Sequence, residues 1–143
     1  MSHLHDPDCI FCQIIAGESP AAIVYEDDQL ITFLDLFPAT EGHSLIVPKP
    51  HYPDIFPMSQ EHLQAVVLFS QRLAHAQMKA FDAHGIAIAQ FNRAAAGQTV
   101  FHYHMHVIPR ITGKSMRFHG REKADMDELR QIAARIANAL EPL

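Results

Sequence analysis

The 143-residue chain is 48% hydrophobic and 19% charged, a balance that suits one compact domain able to bury roughly two thirds of its unfolded surface without a disulfide. Its 11 Lys and Arg against 16 Asp and Glu give a net charge of -5, which argues against a protein that coats nucleic acid or an anionic membrane. The first dozen residues lack a basic segment leading into an apolar run, and no apolar stretch nears the ~20 residues of a bilayer span, so a cytoplasmic location is expected.

Residues 9–16 place Ile10, Phe11, Ile14 and Ile15 at helical spacing ahead of Gly17, which predicts one or two helical turns. Residues 23–25, 30–34 and 44–47 are short apolar or β-branched runs between turn formers and are expected to be antiparallel strands. Prolines at 48, 50, 53 and 57 then remove backbone donors, giving a stiff loop that carries Lys49 and His51. Ser59 suits the N-cap of a long helix in which Leu63, Val66, Val67, Ser70, Leu73, Ala74, Gln77, Met78 and Phe81 follow a helical stripe, with Gly85 just past its end and His62, His75 and His84 on its polar side.

Ile86 and Ile88 mark a further strand, a loop covers 93–98, and residues 100–108 are the expected last strand. Asp125 with Glu128 makes a capping-box start for a C-terminal helix bearing Met126, Leu129, Ile132, Ala133, Ile136 and Leu140 on one stripe. Strand clusters around one long helix, closed by a terminal helix, favour α+β over a doubly wound sheet, in a single domain over 1–143.

The chemistry concentrates at His102, His104 and His106. Strand alternation puts these imidazoles on one face and Phe101, Tyr103, Met105 and Val107 on the other, toward a core. With 11 His in 143 residues, chance supplies such an alternating triplet only roughly 0.06 times per chain of this composition, which disfavours a polar face that merely happens to hold imidazoles. Three chemistries use such a row: metal ligation for hydrolysis, nucleophilic phosphoryl or nucleotidyl transfer, or a metal-binding module. The preceding loop, Asn92 to Val100, offers a glycine, an amide, a hydroxyl and backbone N–H groups suited to phosphate oxygens. The chain has no H-E-x-x-H, P-loop or dinucleotide fingerprint. Cys9 and Cys12 span too short a loop to staple a fold, so they are expected to be reduced thiols, used as ligands or in redox chemistry.

The run Gly97-Gln98-Thr99-Val100-Phe101-His102-Tyr103-His104-Met105-His106-Val107-Ile108-Pro109-Arg110 resembles the signature of the histidine triad (HIT) family. Cys9-Ile10-Phe11-Cys12, Tyr25-Glu26-Asp27-Asp28, Phe33-Leu34-Asp35 and Gly42-His43-Ser44-Leu45-Ile46-Val47-Pro48-Lys49 extend the resemblance in the family's order. It covers a core of about residues 8–110 and leaves 111–143 as a C-terminal extension with its helix. It implies a HIT-like fold with an antiparallel sheet of about five strands, one long helix, a short N-terminal helix and a C-terminal helix.

The resemblance further implies a nucleotide hydrolase or transferase, commonly a homodimer, acting at the α-phosphate of phosphoramidates or dinucleoside polyphosphates. His104 takes the place of the nucleophile that holds the nucleotidyl group, and His106 that of the residue touching phosphate or leaving group. Gln98 and Thr99 would hold oxygens, Asp35 the ribose hydroxyls, and Ile10, Phe11 and Leu36 the base. Phe91 stands where the family commonly has Asn or Gln, so Asn92 is taken as the amide, and Arg93 replaces a usual glycine. Related bacterial members complete a Cys2His2 zinc set at the positions of Cys9, Cys12, His51 and His102; no organic cofactor, nucleic acid or membrane partner is implied. Two other readings are a nucleotide-binding regulator with incidental hydrolysis and a metal-dependent hydrolase using the histidine row as ligands.

Overall fold

The computed structural model describes residues 4–115, 120 and 122–141. A short helix α1 (Ile10–Ile15) precedes strands β1 (Ile23–Glu26), β2 (Leu30–Leu34) and β3 (Ser44–Pro48), followed by the long helix α2 (Gln60–Phe81), strands β4 (Gly85–Gln90) and β5 (Met105–Arg110), and helix α3 (Met126–Ala139). The strands form one antiparallel sheet in the order β1-β2-β3-β5-β4. This is the expected α+β architecture. Among the described residues no helix is long and apolar enough to cross a membrane.

Both long helices start where their capping residues stand. Ser59 accepts the His62 N–H at 3.2 Å and Asp125 accepts the Glu128 N–H at 3.1 Å, each serving a donor that the first helical turn leaves without a partner. Helix α2 stops at Phe81 because Asp82 turns left-handed, with φ 48°. Asp82 therefore takes the terminating position expected of Gly85, which instead opens β4, and His84 lies beyond the helix.

Alternation along the strands separates two apolar layers. Leu30, Leu34, Ile46, Met105 and Val107 join Val66, Phe69 and Leu73 of α2 and Leu129, Ala133 and Ile136 of α3 in the main core. Ile31, Phe33, Leu45 and Val47 point the other way and pack with Cys9, Phe11, Cys12 and Ile14 around α1. Tyr103 is also in the main core, so the alternation expected across the histidine row holds there.

The expected strand over 100–108 is corrected at both ends, since β5 runs from Met105 to Arg110. The cause is its neighbours: β3 pairs with β5 only at Ser44↔Val107, Leu45↔His106 and Ile46↔Met105, and β4 ends at Gln90, opposite Met105. Strand β3 itself stops two residues later at Pro48, where the proline-rich loop, poor in N–H groups, begins. Tyr103 N–H donates instead to the Tyr52 carbonyl at 2.7 Å. Phe101 consequently leaves the core and is 52% exposed.

Candidate active site and metal centre

A cavity of about 460 Å³ opens on the α1 side of the sheet, with Ile10, Phe11, Phe33, Leu36 and Val100 among its apolar walls and Asp35, Thr99, His104 and His106 as polar ones. The Phe11 ring packs edge-on to the His104 ring at 5.1 Å between centroids, and the His104 and His106 rings lie 5.0 Å apart.

The hydrogen bonds assign the ring protons. His104 Nδ1 lies 2.7 Å from the His102 carbonyl. A carbonyl only accepts, so in the neutral ring Nδ1 carries the proton and Nε2 the lone pair. His43, fully buried, accepts the Ala39 N–H on Nδ1 at 2.9 Å. Its proton is therefore on Nε2, which donates to His106 Nδ1 at 2.9 Å. His106 in turn keeps its own proton on Nε2. Two adjacent imidazoles are thus held in opposite tautomers, one with a basic Nε2 and one with an Nε2–H donor. Asp35 adjoins this pair: its Oδ1 accepts the Phe37 N–H at 2.8 Å and its Oδ2 lies 3.5 Å from His43 Nε2.

Gln77 steadies the backbone beneath. From the C-terminal part of α2 its buried side-chain amide donates to the carbonyls of Gly42 at 3.0 Å and Val107 at 2.9 Å, the neighbours of His43 and His106. These carbonyls lie where the β3–β5 ladder ends, and an uncompensated buried carbonyl there would cost stability.

The loop before the triad is braced from inside. Gln98 Oε1 accepts the Arg93 N–H at 2.6 Å, and Gln98 Nε2 donates to the carbonyls of Pro53 at 2.7 Å and Val100 at 3.0 Å. Asn92 Oδ1 accepts the Ile55 N–H at 2.8 Å, while its amide exchanges bonds with Gln90. Thr99, rather than either amide, reaches the cavity wall. Arg93 has φ 76° and ψ 158°, a conformation that glycine adopts without strain and that costs another residue about 1–3 kcal/mol. Its guanidinium lies 4.5 Å over the Phe56 ring and 3.5 Å from Asp54 Oδ2.

A second group of side chains converges beside the cavity. His102 Nδ1 lies 3.5 Å from Cys9 Sγ, 3.6 Å from Cys12 Sγ and 3.2 Å from His51 Nδ1, and Cys12 Sγ lies 3.3 Å from His51 Nδ1. Ligand bonds of zinc length predict tetrahedron edges of about 3.4 Å between nitrogens and about 3.6 Å between sulfur and nitrogen, so the donor set fits one such ion. His102 Nε2–H donates to the Pro48 carbonyl at 2.7 Å, which leaves the lone pair on Nδ1 toward the other three donors. Burial lowers the His102 pKa to about 4, keeping the ring neutral as a ligand must be. Burial also pushes the Cys12 thiol up to about 11, an effect that a dication among the donors would reverse.

The sequence profile of the HIT domain matches residues 16–113. The chain belongs to the HIT family. It is 38% identical to Protein hit of Bacillus subtilis over 138 residues, covering 93% of this chain and 94% of that one. It is 43% identical to the adenylylsulfatase HINT3 of Arabidopsis thaliana over 103 residues, 72% of this chain and 52% of that longer one. Among solved structures, a zinc-bound histidine triad family protein from Mycobacterium smegmatis superposes with a TM-score of 0.82 at 34% identity, covering 92% of each chain.

In this HIT protein the residues singled out from sequence fall into three groups. Ile10, Phe11, Asp35, Leu36, Thr99, His104 and His106 line one cavity. Cys9, Cys12, His51 and His102 form the separate donor cluster. Asn92 and Gln98 brace the loop by the bonds described above. Sequence reasoning gave His43 only as part of the matched segment 42–49 and Gln77 only as a position on the helical stripe, and assigned neither a role at the site. The Gly-His pair was the available signal for the first, and an amide on a largely apolar stripe for the second.

Proposed function

We propose that this HIT protein is a nucleotide hydrolase or transferase working at the α-phosphate of phosphoramidates or dinucleoside polyphosphates through a nucleotidyl-histidine. The observation that carries this reading is the pair of opposed tautomers at His104 and His106. The His104 Nε2 lone pair forms the N–P bond as the bond from phosphorus to the leaving group breaks and its electron pair departs with that group. His104 Nδ1–H keeps its bond to the His102 carbonyl, which offsets positive charge gathering on the ring. The His106 Nε2–H donates to an oxygen on which negative charge grows. Water then forms an O–P bond, the N–P electrons return to His104 Nε2, and one water proton passes to solvent as the monophosphate leaves. When an alcohol or phosphate replaces water, the same step is a transfer.

Asp35 is the carboxylate on the cavity wall, a hydrogen-bond acceptor of the kind ribose hydroxyls need, and Ile10, Phe11 and Leu36 offer apolar surface to a base. Thr99 supplies a hydroxyl to the phosphate, within a loop that Asn92 and Gln98 hold in shape. The name adenylylsulfatase borne by the Arabidopsis relative supports chemistry at an adenylyl phosphate.

Cys9, Cys12, His51 and His102 would hold a structural zinc, which when bound supplies a four-ligand tie with no open position for water. The zinc-bound mycobacterial structure supports this part of the reading. We also propose a cytoplasmic homodimer. Edge strand β4 carries the exposed Ile88, and α2 presents the exposed Val67 and Leu68, apolar surface that a second copy would cover.

The test is turnover of adenosine 5'-phosphoramidate, adenylyl sulfate and a diadenosine polyphosphate, with acid-free quenching and mass spectrometry. A nucleotidyl adduct on His104, lost together with turnover in His104→Ala, is expected. An adduct on His102 or His106 refutes the assignment, and tight monophosphate binding without turnover makes the protein a nucleotide-binding regulator instead.

A further inference from the structure

After β5 the chain is fastened back against the loop that follows β2. Arg110, buried at the end of β5, donates through its guanidinium to the carbonyl of Lys114 at 3.3 Å and to that of Ser115. Farther on, the Gly120 N–H donates to the Phe37 carbonyl at 2.7 Å and the Ala124 N–H to the Leu36 carbonyl at 2.8 Å, just ahead of the Asp125 cap of α3. Leu36, Phe37 and Gly120 all line the cavity that holds His104 and His106.

Gly120 meets this loop with no room for a side chain. A Cβ at that position would stand 2.1 Å from the Pro38 carbonyl oxygen and 2.9 Å from its carbon. Both are backbone atoms, which cannot swing aside as a side-chain tip can, so any other residue must shift the segment or the loop. The loop in question orients Asp35, because Asp35 Oδ1 takes the Phe37 N–H at 2.8 Å. The same loop also reaches the imidazoles, since the Ala39 N–H beside Pro38 donates to His43 Nδ1 and His43 Nε2–H donates to His106 Nδ1.

We infer that the C-terminal extension determines how the cavity holds the nucleoside half of its substrate, with Gly120 as the positioning residue acting through Asp35, Leu36 and Phe37. The inference rests on the reading above that this wall meets ribose and base.

The test compares wild type with Gly120→Ala by calorimetric titration with AMP and by kinetics with adenosine 5'-phosphoramidate, after thermal melting has established that the variant is folded. The expected result is a Kd for AMP and a KM both raised at least about fivefold. An unchanged Kd, or a kcat loss at constant KM, overturns the inference. Should Gly120→Ala not fold, Ala124→Pro removes the second N–H, at the cost of fixing φ there, and is judged by the same criteria once its melting shows it folded. Wild type that binds AMP without turnover sinks the hydrolase reading while the two Kd values still decide this one, and wild type that does not bind AMP sinks both.

Discussion

Replacing His43 by Phe keeps a ring in a fully buried position but removes both nitrogens of the chain that runs from Ala39 N–H through His43 to His106. The Ala39 N–H and His106 Nδ1 each lose a hydrogen bond, and Asp35 Oδ2 loses its neighbour at 3.5 Å. Ala39 is half-buried, where water can serve its N–H, so the cost falls mainly on the histidine and amounts to about 2 kcal/mol. For a chain of this size that lowers Tm by roughly 6 to 10 °C. The effect on chemistry is larger. Without the His43 donor, His106 is no longer held with its proton on Nε2, and losing one such charge-stabilising donor costs about 100- to 1000-fold in kcat. The assay is steady-state hydrolysis of adenosine 5'-phosphoramidate by His43→Phe, His106→Phe and the double variant, below all their melting temperatures. The expected outcome is a kcat loss in His43→Phe at nearly constant KM, and a double variant no slower than His106→Phe alone, since both changes remove the same donor. Multiplying losses in the double variant would refute the argument that His43 acts through His106.

Three further outcomes follow from other parts of the molecule. Wild type purified from zinc-replete medium should carry about one equivalent of zinc by elemental analysis, and Cys9→Ser/Cys12→Ser less than about a tenth, with a lower Tm but kcat retained below that Tm; an unchanged Tm would reduce the thiols to packing. Burial alone would raise the pKa of Asp27, but the N–H groups of Gln29 and Leu30 and the Tyr25 hydroxyl outweigh it and hold the carboxyl below its ordinary value. Its stabilisation is therefore present above about pH 4 and lost as pH falls through the depressed folded value, so the Tm deficit of Asp27→Asn should be full at neutral pH and close in acid. A deficit independent of pH would contradict that sign. Light scattering should give a dimer for wild type and a monomer for Leu68→Glu, whose site on α2 is 70% exposed in the single chain; a wild-type monomer at micromolar concentration would argue against the pairing.

What could be read from the sequence was whatever depends on periodicity and on chemically specific neighbours. Ser59 and Asp125 marked the helix starts because their oxygens satisfy first-turn donors, and Tyr103, Met105 and Val107 marked the core face because a β-backbone alternates. The start of β5 was hidden because it depends on other segments: β3 leaves the shared ladder at Ile46 and β4 at Gln90, and nothing within 100–104 reports that. Gln98 and Asn92 show the same limit. An amide near a phosphate loop can face a ligand or the loop's own backbone, and here the carbonyls of Pro53 and Val100 and the Ile55 N–H engage them. Gly120 carried no signal either, since its constraint is the Pro38 carbonyl, a partner far away in sequence.

The pairing of Cys9 with His102 spans 93 residues, and this separation sets an order of events during synthesis. At ribosomal rates of about 5–20 residues per second, the amino-terminal thiols wait roughly 5–20 s for the histidine they face. Helix α1 cannot be seated sooner on that side, so Phe11 and Ile14 remain without part of their packing while β1 to β4 emerge. The floor of the pocket is thus finished late, by the segment 102–110 that also delivers His104 and His106. Until that segment arrives, the nascent chain has neither the proposed nucleophile nor a completed cavity wall, and the two are completed together.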